Sequence, residues 1–407
     1  MSTDAPTSEP TDRIVIVGAS LAGGTAALTL RERGYAGEIL LIGAEEYLPY
    51  ERPPLSKAIL LGEADEPDWV ASAEDWQAKE ISVLTGTRVT AIDLAAKTVT
   101  AGGTDHGYTK LLLATGSTAR RLDIPGFSLP GILTLRTLDD ALLLRSLLTE
   151  GRRVVVVGAG WIGCEVAAAA RSHGSVVTMI EMGPQPLAAV LGETIGASFA
   201  ALHREHGVDL RLGVGVTEFL GETAFTGVRL SDGSTVEADI AVVGAGAVPN
   251  LDLARDAGLE LAGGGVAVDE TLRTSDPHVY AVGDIAAETH PRYPGRLRVE
   301  HWDTAKNQGA HVAANLLGDS DPYTVAPFFF TDQYDLGCEY RGHADPAADD
   351  LVVSGDLDAR EYTAVWVRDG LVIGALNVNQ WDDGDALQAL VDGATTRSVE
   401  DLRAGRF

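Results

Sequence analysis

Two short stretches of this chain are apolar at every position instead of every second one: Ile14-Val-Ile-Val17 after Arg13, and Val154-Val-Val-Val157 after Arg153. A strand with one wet face would alternate, so both runs predict parallel strands buried on both sides. Each leads directly into glycines. Gly18-Ala-Ser-Leu-Ala-Gly23 opens an Ala- and Leu-rich helical segment, Gly24 to Arg33, that stops at Gly34. Gly158-Ala-Gly-Trp-Ile-Gly163 opens an Ala-rich helix that ends near Gly174. Second strands follow at Glu38 to Ile42 and at Ser175 to Ile180, ending near Glu45 and at Glu181. Short apolar strands that finish in small-residue turns recur at Lys110-Leu-Leu-Leu-Ala-Thr-Gly116, Asp239-Ile-Ala-Val-Val-Gly-Ala-Gly246 and Val279-Tyr-Ala-Val-Gly-Asp284. Beyond Pro327 the pattern changes. Tyr362 to Val367 and Leu371 to Leu376 flank the turn Arg368-Asp-Gly370 as an antiparallel hairpin, and Asp385 to Val391 reads as a helix.

A buried strand, a glycine turn, a helix and an acidic residue about twenty positions on form the dinucleotide-binding fingerprint, and here it occurs twice. In the first copy Gly18, Ser20, Leu21, Ala22 and Gly23 line the turn and Glu45 would accept ribose hydroxyls. Ser20 replaces the fingerprint's second glycine, so its hydroxyl is expected near a phosphate. The second copy has all three glycines, Gly158, Gly160 and Gly163, with Trp161 and Ile162 between them. A carboxylate at Glu181 pairs with a 2′-hydroxyl and repels a 2′-phosphate, which predicts NADH over NADPH. Arg171 and Arg204, the basic residues available to a 2′-phosphate, do not follow that strand end. Glu165, two residues beyond Gly163, reads either as a carboxylate favoured by the helix N-terminal dipole or as a contact to the nicotinamide end. Asp284, delivered at the C-terminal end of a strand after Gly283, could accept from a polyol chain.

The third motif returns after the second fingerprint is complete, so the first domain is expected to be discontinuous. The fold class is α/β: two Rossmann-like dinucleotide-binding domains plus a C-terminal α+β domain. Residues 1–12 are expected to be a disordered polar tail, residues 13–118 and 248–326 the first domain, 119–247 the second, and 327–407 the third.

Charge and cysteine content narrow the chemistry. The 407 residues include 59 acidic and 31 basic side chains, a net charge of −28, which repels phosphate backbones and anionic lipid, so neither nucleic acid nor a membrane is expected as partner. The acidic clusters at Glu63, Asp65, Glu66, Asp68, Glu74 and Asp75, and at Asp345, Asp349 and Asp350, read as solvated loops. No apolar run approaches the roughly 18–20 residues of a membrane helix, and Met1 to Asp12 lacks the regions of a signal peptide, so a cytoplasmic protein is expected. The only two cysteines, Cys164 and Cys338, form no Cys-x-x-Cys pair and read as small buried packers.

With these motifs the chain resembles the two-dinucleotide-binding flavoprotein reductases, and among them the NADH-dependent ferredoxin and rubredoxin reductases that serve Rieske-type dioxygenases and haem monooxygenases. The resemblance covers residues 13–405 and includes Leu48-Pro-Tyr-Glu-Arg-Pro-Pro-Leu-Ser-Lys57, Ala114-Thr-Gly116, Leu135-Arg-Thr137, Val299-Glu-His-Trp302 and Thr331-Asp-Gln-Tyr-Asp335. It implies FAD at the first fingerprint and NADH at the second. It also implies that Gly18, Ser20, Gly23 and Glu45 hold the FAD pyrophosphate and ribose, with Val89 beside the adenine. Arg52, Lys57, Ala114, Thr115, Gly116, Arg136, Gly283, Asp284, Glu300 and Trp302 would complete the flavin site, and Gly244 and Gly246 the pyridine-nucleotide site. The resemblance makes Lys57 and Glu165 the catalytic pair; without it, Lys57 reads as an exposed surface charge. His301 reads either as a source of a proton or positive charge at the flavin or as a cap of the helix that begins beside it. Phe328-Phe-Phe330 departs from the family, which commonly has tryptophan before the stretch matching Thr331, and Phe330 would fill that space. Gly183-Pro-Gln-Pro-Leu187 lacks an arginine that many relatives carry near the NADH adenosine.

With no thiol relay, electrons are expected to leave one at a time for a small acidic iron–sulfur carrier, a ferredoxin or rubredoxin, and through it an oxygenase. Arg296, Arg298, Lys306, Arg341 and Arg368 are the candidate basic docking residues. Two other readings remain open: an NADH oxidase or quinone-type reductase of the same fold, and an NADH-sensing interaction flavoprotein.

Overall fold

The computed structural model describes residues 12–393 and 395–407. The tail expected to be disordered lies, through residue 11, outside the described residues. The described residues divide into two compact units: 12–51, 68–118 and 249–325 form the first, and 52–67, 119–248, 326–393 and 395–407 the second. The short segment Arg52–Pro67 thus groups with the second unit, although it lies within the stretch 13–118 that the sequence pattern read as one domain.

The first unit is built on a five-stranded parallel sheet in the order Val279–Ala281, Lys110–Leu113, Arg13–Val17, Glu38–Ile42, Ile81–Leu84. The strand that feeds the glycine turn is central, paired with Glu38–Ile42 on one side and Lys110–Leu113 on the other. Chain connectivity reverses beside it, and such a switch point opens a crevice at the strand C-termini. Val15 and Ile16 are fully buried, as a run without alternation requires. Helix Leu21–Glu32 packs so closely on helix Trp302–Leu316 that a Cβ on Gly309 would lie 2.4 Å from the Ala22 carbonyl oxygen. The second unit repeats the plan with strands Asp209–Leu212, Val176–Glu181, Arg153–Val157, Ile240–Val243 and Ile132–Leu133, again with the glycine-turn strand in the middle. It also carries a five-stranded antiparallel sheet ordered Phe328–Gln333, Leu336–Gly342, Leu371–Val378, Glu361–Arg368, Asp350–Asp356. Asp369 and Gly370 both have positive φ, 51° and 79°, the backbone that a two-residue hairpin turn requires. Helix Gly384–Val391 covers this sheet with Leu387, Leu390 and Val391 against Val365 and Ala375.

One buried acid in the first unit carries a testable cost. Glu288, in strand Ala286–Thr289, is 2% exposed, and burial pushes its carboxyl up to about 8, partly offset by the Gln308 side chain. A raised folded-state value means the associated stability is complete below the ordinary 4.5 and is lost as pH rises toward 8, because only the unfolded chain then releases the proton. Glu288→Gln should therefore stabilise the protein at pH 8, by up to about 4 kcal/mol, and change it little at pH 4.5. Thermal unfolding at the two pH values checks this; parallel pH dependence in both proteins would mean that Glu288 ionises in the native state.

Candidate functional site

The first unit forms its cradle from backbone. Gly18 has φ +121°, and a Cβ there would stand 2.0 Å from the Ala114 carbonyl oxygen, so only glycine lets these two strand ends meet. Ser20 is the N-cap of helix Leu21–Glu32, yet its side chain makes no capping hydrogen bond. Leu21 and Ala22 are buried in the first turn, whose N–H groups point at the cradle, the arrangement that binds a phosphate. Glu45 accepts from the Tyr50 hydroxyl, which orients its carboxylate. Val89 is buried at the start of strand Val89–Asp93. Ala114-Thr115-Gly116 is held by Asn250: its side-chain nitrogen donates to the Thr115 carbonyl at 2.8 Å, its backbone N–H to Gly116 at 2.9 Å, and its own carbonyl accepts from the Thr115 hydroxyl at 2.9 Å.

Across the same unit, Gly283 donates its N–H to the Gln308 side-chain oxygen at 2.7 Å, which fixes the turn that presents the buried Asp284. Arg298 donates to the Asp284 carbonyl at 3.0 Å and to Glu300 at 2.6 Å. His301 is the N-cap of helix Trp302–Leu316 and makes no side-chain capping bond. The Trp302 indole donates to Glu51 at 2.8 Å, and the Lys306 ammonium lies 4.9 Å from its ring centroid.

The second unit repeats the glycine geometry with one instructive difference. A Cβ on Gly163 would lie 2.0 Å from the Gly158 carbonyl oxygen, and one on Gly158, at φ +97°, 2.6 Å from that of Gly244. A Cβ on Gly160 would meet nothing within 4 Å. Packing therefore does not require that glycine; the open space in front of it admits a pyrophosphate against the backbone. Glu181 closes the turn, one carboxylate oxygen accepting from the Ala159 N–H and the other from the Gly183 N–H, both at 2.7 Å. Gly246, at φ +93°, accepts from the Arg120 N–H at 2.9 Å. Arg171 is committed elsewhere, donating to the carbonyls of His206 and Ser175 at 2.8 and 2.5 Å. Combining Glu181→Ala with Met182→Arg, at a position 78% exposed, should raise the ratio of kcat/KM for NADPH over NADH by at least about tenfold. An unchanged ratio would mean that Glu181 does not face the ribose.

The same unit gathers a charged cluster. Glu165 is 2% exposed; its Oε1 accepts from the Lys57 ammonium at 2.7 Å and the Thr331 hydroxyl at 2.5 Å, and its Oε2 from the Ser56 hydroxyl. Lys57 is 16% exposed and lies 5.1 Å from the Phe330 ring centroid. Trp161, the first residue of helix Trp161–Ser172, packs against Phe329 with centroids 4.5 Å apart and ring planes 38° from parallel, while Ile162 beside it is exposed. Arg52 donates to the Arg136 carbonyl, and the Arg136 N–H is held by Asp140 at 3.0 Å.

Residues 12–309 match the family described as pyridine nucleotide-disulphide oxidoreductase. The chain belongs to this family. Residues 328–405 of this oxidoreductase match the family described as reductase C-terminal. One relative is the benzene 1,2-dioxygenase system ferredoxin–NAD(+) reductase subunit of Pseudomonas putida, 40% identical over 86% of this chain and 83% of its own. A solved ferredoxin reductase from Rhodopseudomonas palustris superposes with a TM-score of 0.92 at 38% identity, covering 96% of this chain and 97% of its own. A chain of the covalent putidaredoxin reductase–putidaredoxin complex superposes with a TM-score of 0.90 at 34% identity, covering 94% and 93%.

Several readings of the oxidoreductase's sequence need correction. Lys57 is not an exposed surface charge but half of an ion pair with a buried carboxylate. Glu165 is the fifth residue of its helix and lies outside the first turn, so the helix-dipole reading gives way to the ion pair. Asp349 does not belong to a solvated loop: it is 7% exposed and accepts from Arg368 at 2.5 and 2.9 Å. The burial of Arg341 against Glu339 and Asn377, at 2.7 Å each, removes one of the five basic docking candidates, while Arg368 keeps a third of its side chain exposed beside Asp349. Arg296 and Arg298 brace backbone carbonyls, of Val268 and Ala287 and of Asp284. Ser56, Glu51 and Thr331 lie within Leu48–Lys57 and Thr331–Asp335, and Asn250 lies outside any motif; none carries a local signal of its role, which depends on the distant residue each meets.

Proposed function

We propose that this oxidoreductase is an NADH-dependent ferredoxin reductase, taking hydride from NADH onto FAD and passing electrons singly to a small iron–sulfur carrier of an oxygenase system. The observation that carries the reading is the pairing of two backbone cradles with an ion pair and no accessible thiol. Both cysteines are buried and free, and burial pushes both thiols well above their ordinary range, so neither supplies a thiolate for disulfide chemistry. The names of the benzene dioxygenase reductase and of the putidaredoxin complex support the carrier and the coenzyme.

The residues fit both cofactors. Gly18, Ser20, Gly23, Glu45 and Asp284 would hold FAD; Gly160, Glu181 and the start of helix Trp161–Ser172 would hold NADH. Bound flavin supplies the exchange between two-electron and one-electron chemistry. Lys57 holds a positive charge in a nearly dry setting, where it acts more strongly than in water, and Glu165 fixes its direction. Thr331 donates a second hydrogen bond to Oε1, Ser56 donates to Oε2, and Phe330 covers the ammonium. No helix among the described residues is long and apolar enough to cross a membrane, and we place the protein in the cytoplasm on its buried free thiols.

The test is carrier-dependent turnover. With FAD bound and NADH supplied, cytochrome c reduction should require an added ferredoxin, and oxygen consumption without it should be slow. Fast oxygen consumption with no carrier would favour the oxidase reading.

A further inference from the structure

Behind the Lys57–Glu165 pair runs a line of buried polar side chains that ordinary packing does not require. Thr331 and Gln333 lie in strand Phe328–Gln333, on a face that is 0% and 1% exposed at the two positions, and His203, in helix Ala188–Glu205, is 0% exposed. Gln333 Nε2 lies 3.3 Å from the Thr331 hydroxyl oxygen, Gln333 Oε1 lies 3.1 Å from His203 Nε2, and His203 Nδ1 lies 3.2 Å from the Tyr334 hydroxyl.

Valence sets the direction of every link. A carboxylate accepts only, so the Thr331 hydroxyl donates to Glu165 and must itself accept from Gln333. Gln333 can offer its N–H₂ to Thr331 only while its oxygen faces His203, and an amide oxygen accepts only, so His203 must carry its proton on Nε2. Nδ1 is then free to accept from Tyr334. Four donors point the same way, from Tyr334 toward Glu165, and each polarises the next. Burial pushes His203 down to about 4, which keeps the ring neutral at working pH. The far end is held by stacking: Tyr334, in the two-residue turn between Gln333 and Leu336 with φ +55°, lies on His206, with ring centroids 3.8 Å apart and 11° between planes.

We propose that His203 is a positioning residue for the Lys57–Glu165 pair: by fixing the orientation of the Gln333 amide it commits the Thr331 hydroxyl to Glu165. Without His203 the amide can turn over, its oxygen then competes for the Thr331 proton, and Glu165 loses a donor on the oxygen that holds Lys57. The inference rests on the reading of Lys57 and Glu165 as the working pair, and the test separates the two.

FAD-loaded full-length protein is mixed with NADH without oxygen, and flavin reduction is followed by stopped flow. His203→Phe keeps a ring of similar size and removes both nitrogens; the rate at saturating NADH should fall about tenfold with the apparent Kd for NADH changed less than about threefold. His203→Gln, whose amide N–H reaches the Nε2 position, should recover most of the loss. Thr331→Val should match His203→Phe, and Thr331→Ser, which keeps the donating hydroxyl, should recover most of the rate, which provides a second route if the His203 variants do not fold. Nitrogen NMR of labelled histidine in the native protein should report a neutral ring protonated at Nε2 from pH 5.5 to 8. A wild-type rate in His203→Phe alongside a slow Lys57→Met overturns this inference alone; a wild-type rate in Lys57→Met overturns the catalytic pair beneath it. An Nδ1-protonated or charged His203 also overturns it.

Discussion

Lys57→Met is expected to slow flavin reduction by NADH at least about a hundredfold, while FAD stays bound through the first unit's cradle. Methionine matches the length of lysine and the apolar cover of Phe330, so the change removes little except charge. It also leaves Glu165, at 2% exposure, with hydroxyl donors alone. Breaking a buried pair from one side typically costs about 3–5 kcal/mol, because the remaining charge is uncompensated. Glu165→Gln should cost less stability: Lys57 keeps 16% exposure and can recruit water, and the amide oxygen still accepts from Thr331. Both variants should lose hydride transfer, but Lys57→Met should have the lower melting temperature. Stopped flow and thermal unfolding read the two quantities separately. A full-speed Lys57→Met would remove the pair from the mechanism.

Gly160→Ala should weaken NADH binding by at least about tenfold without changing the melting temperature or FAD content. Gly160 adopts φ −77° and ψ −174°, an extended backbone that alanine takes without strain, and the added methyl meets no protein atom within 4 Å. The methyl would instead occupy the space through which a pyrophosphate reaches the helix N-terminus. Gly163→Ala is the contrasting case. Its Cβ would lie 2.0 Å from the Gly158 carbonyl oxygen, a backbone clash that no side-chain movement relieves, so that variant should fail to fold its second unit. Calorimetric titration with the nucleotide, beside circular dichroism, distinguishes lost binding from lost structure. Wild-type NADH affinity in Gly160→Ala would show that the pyrophosphate lies elsewhere.

The strands at Arg13–Val17, Glu38–Ile42 and Arg153–Val157 have the bounds read from the sequence, because burial on both faces leaves its mark on every residue after the charged first one. The hairpin around Asp369 and Gly370 was equally legible from its turn residues. Helix Leu21–Glu32 begins three residues before the predicted Gly24, since helical backbone starts directly after Ser20. Such features are local: periodicity and turn chemistry act within a few residues, and the amino-acid order alone determined them. Glu165 instead meets Ser56 from 109 positions away, Lys57 from 108 and Thr331 from 166, and Gln333 meets His203 from 130. Asp349 looked solvated beside Asp345 and Asp350 until Arg368, 19 residues on, folded back onto it. Whether a lone lysine or aspartate is wet or paired depends on which distant backbone packs against it. That choice is made by the hydrophobic assembly of sheets and helices and leaves no periodic trace along the chain.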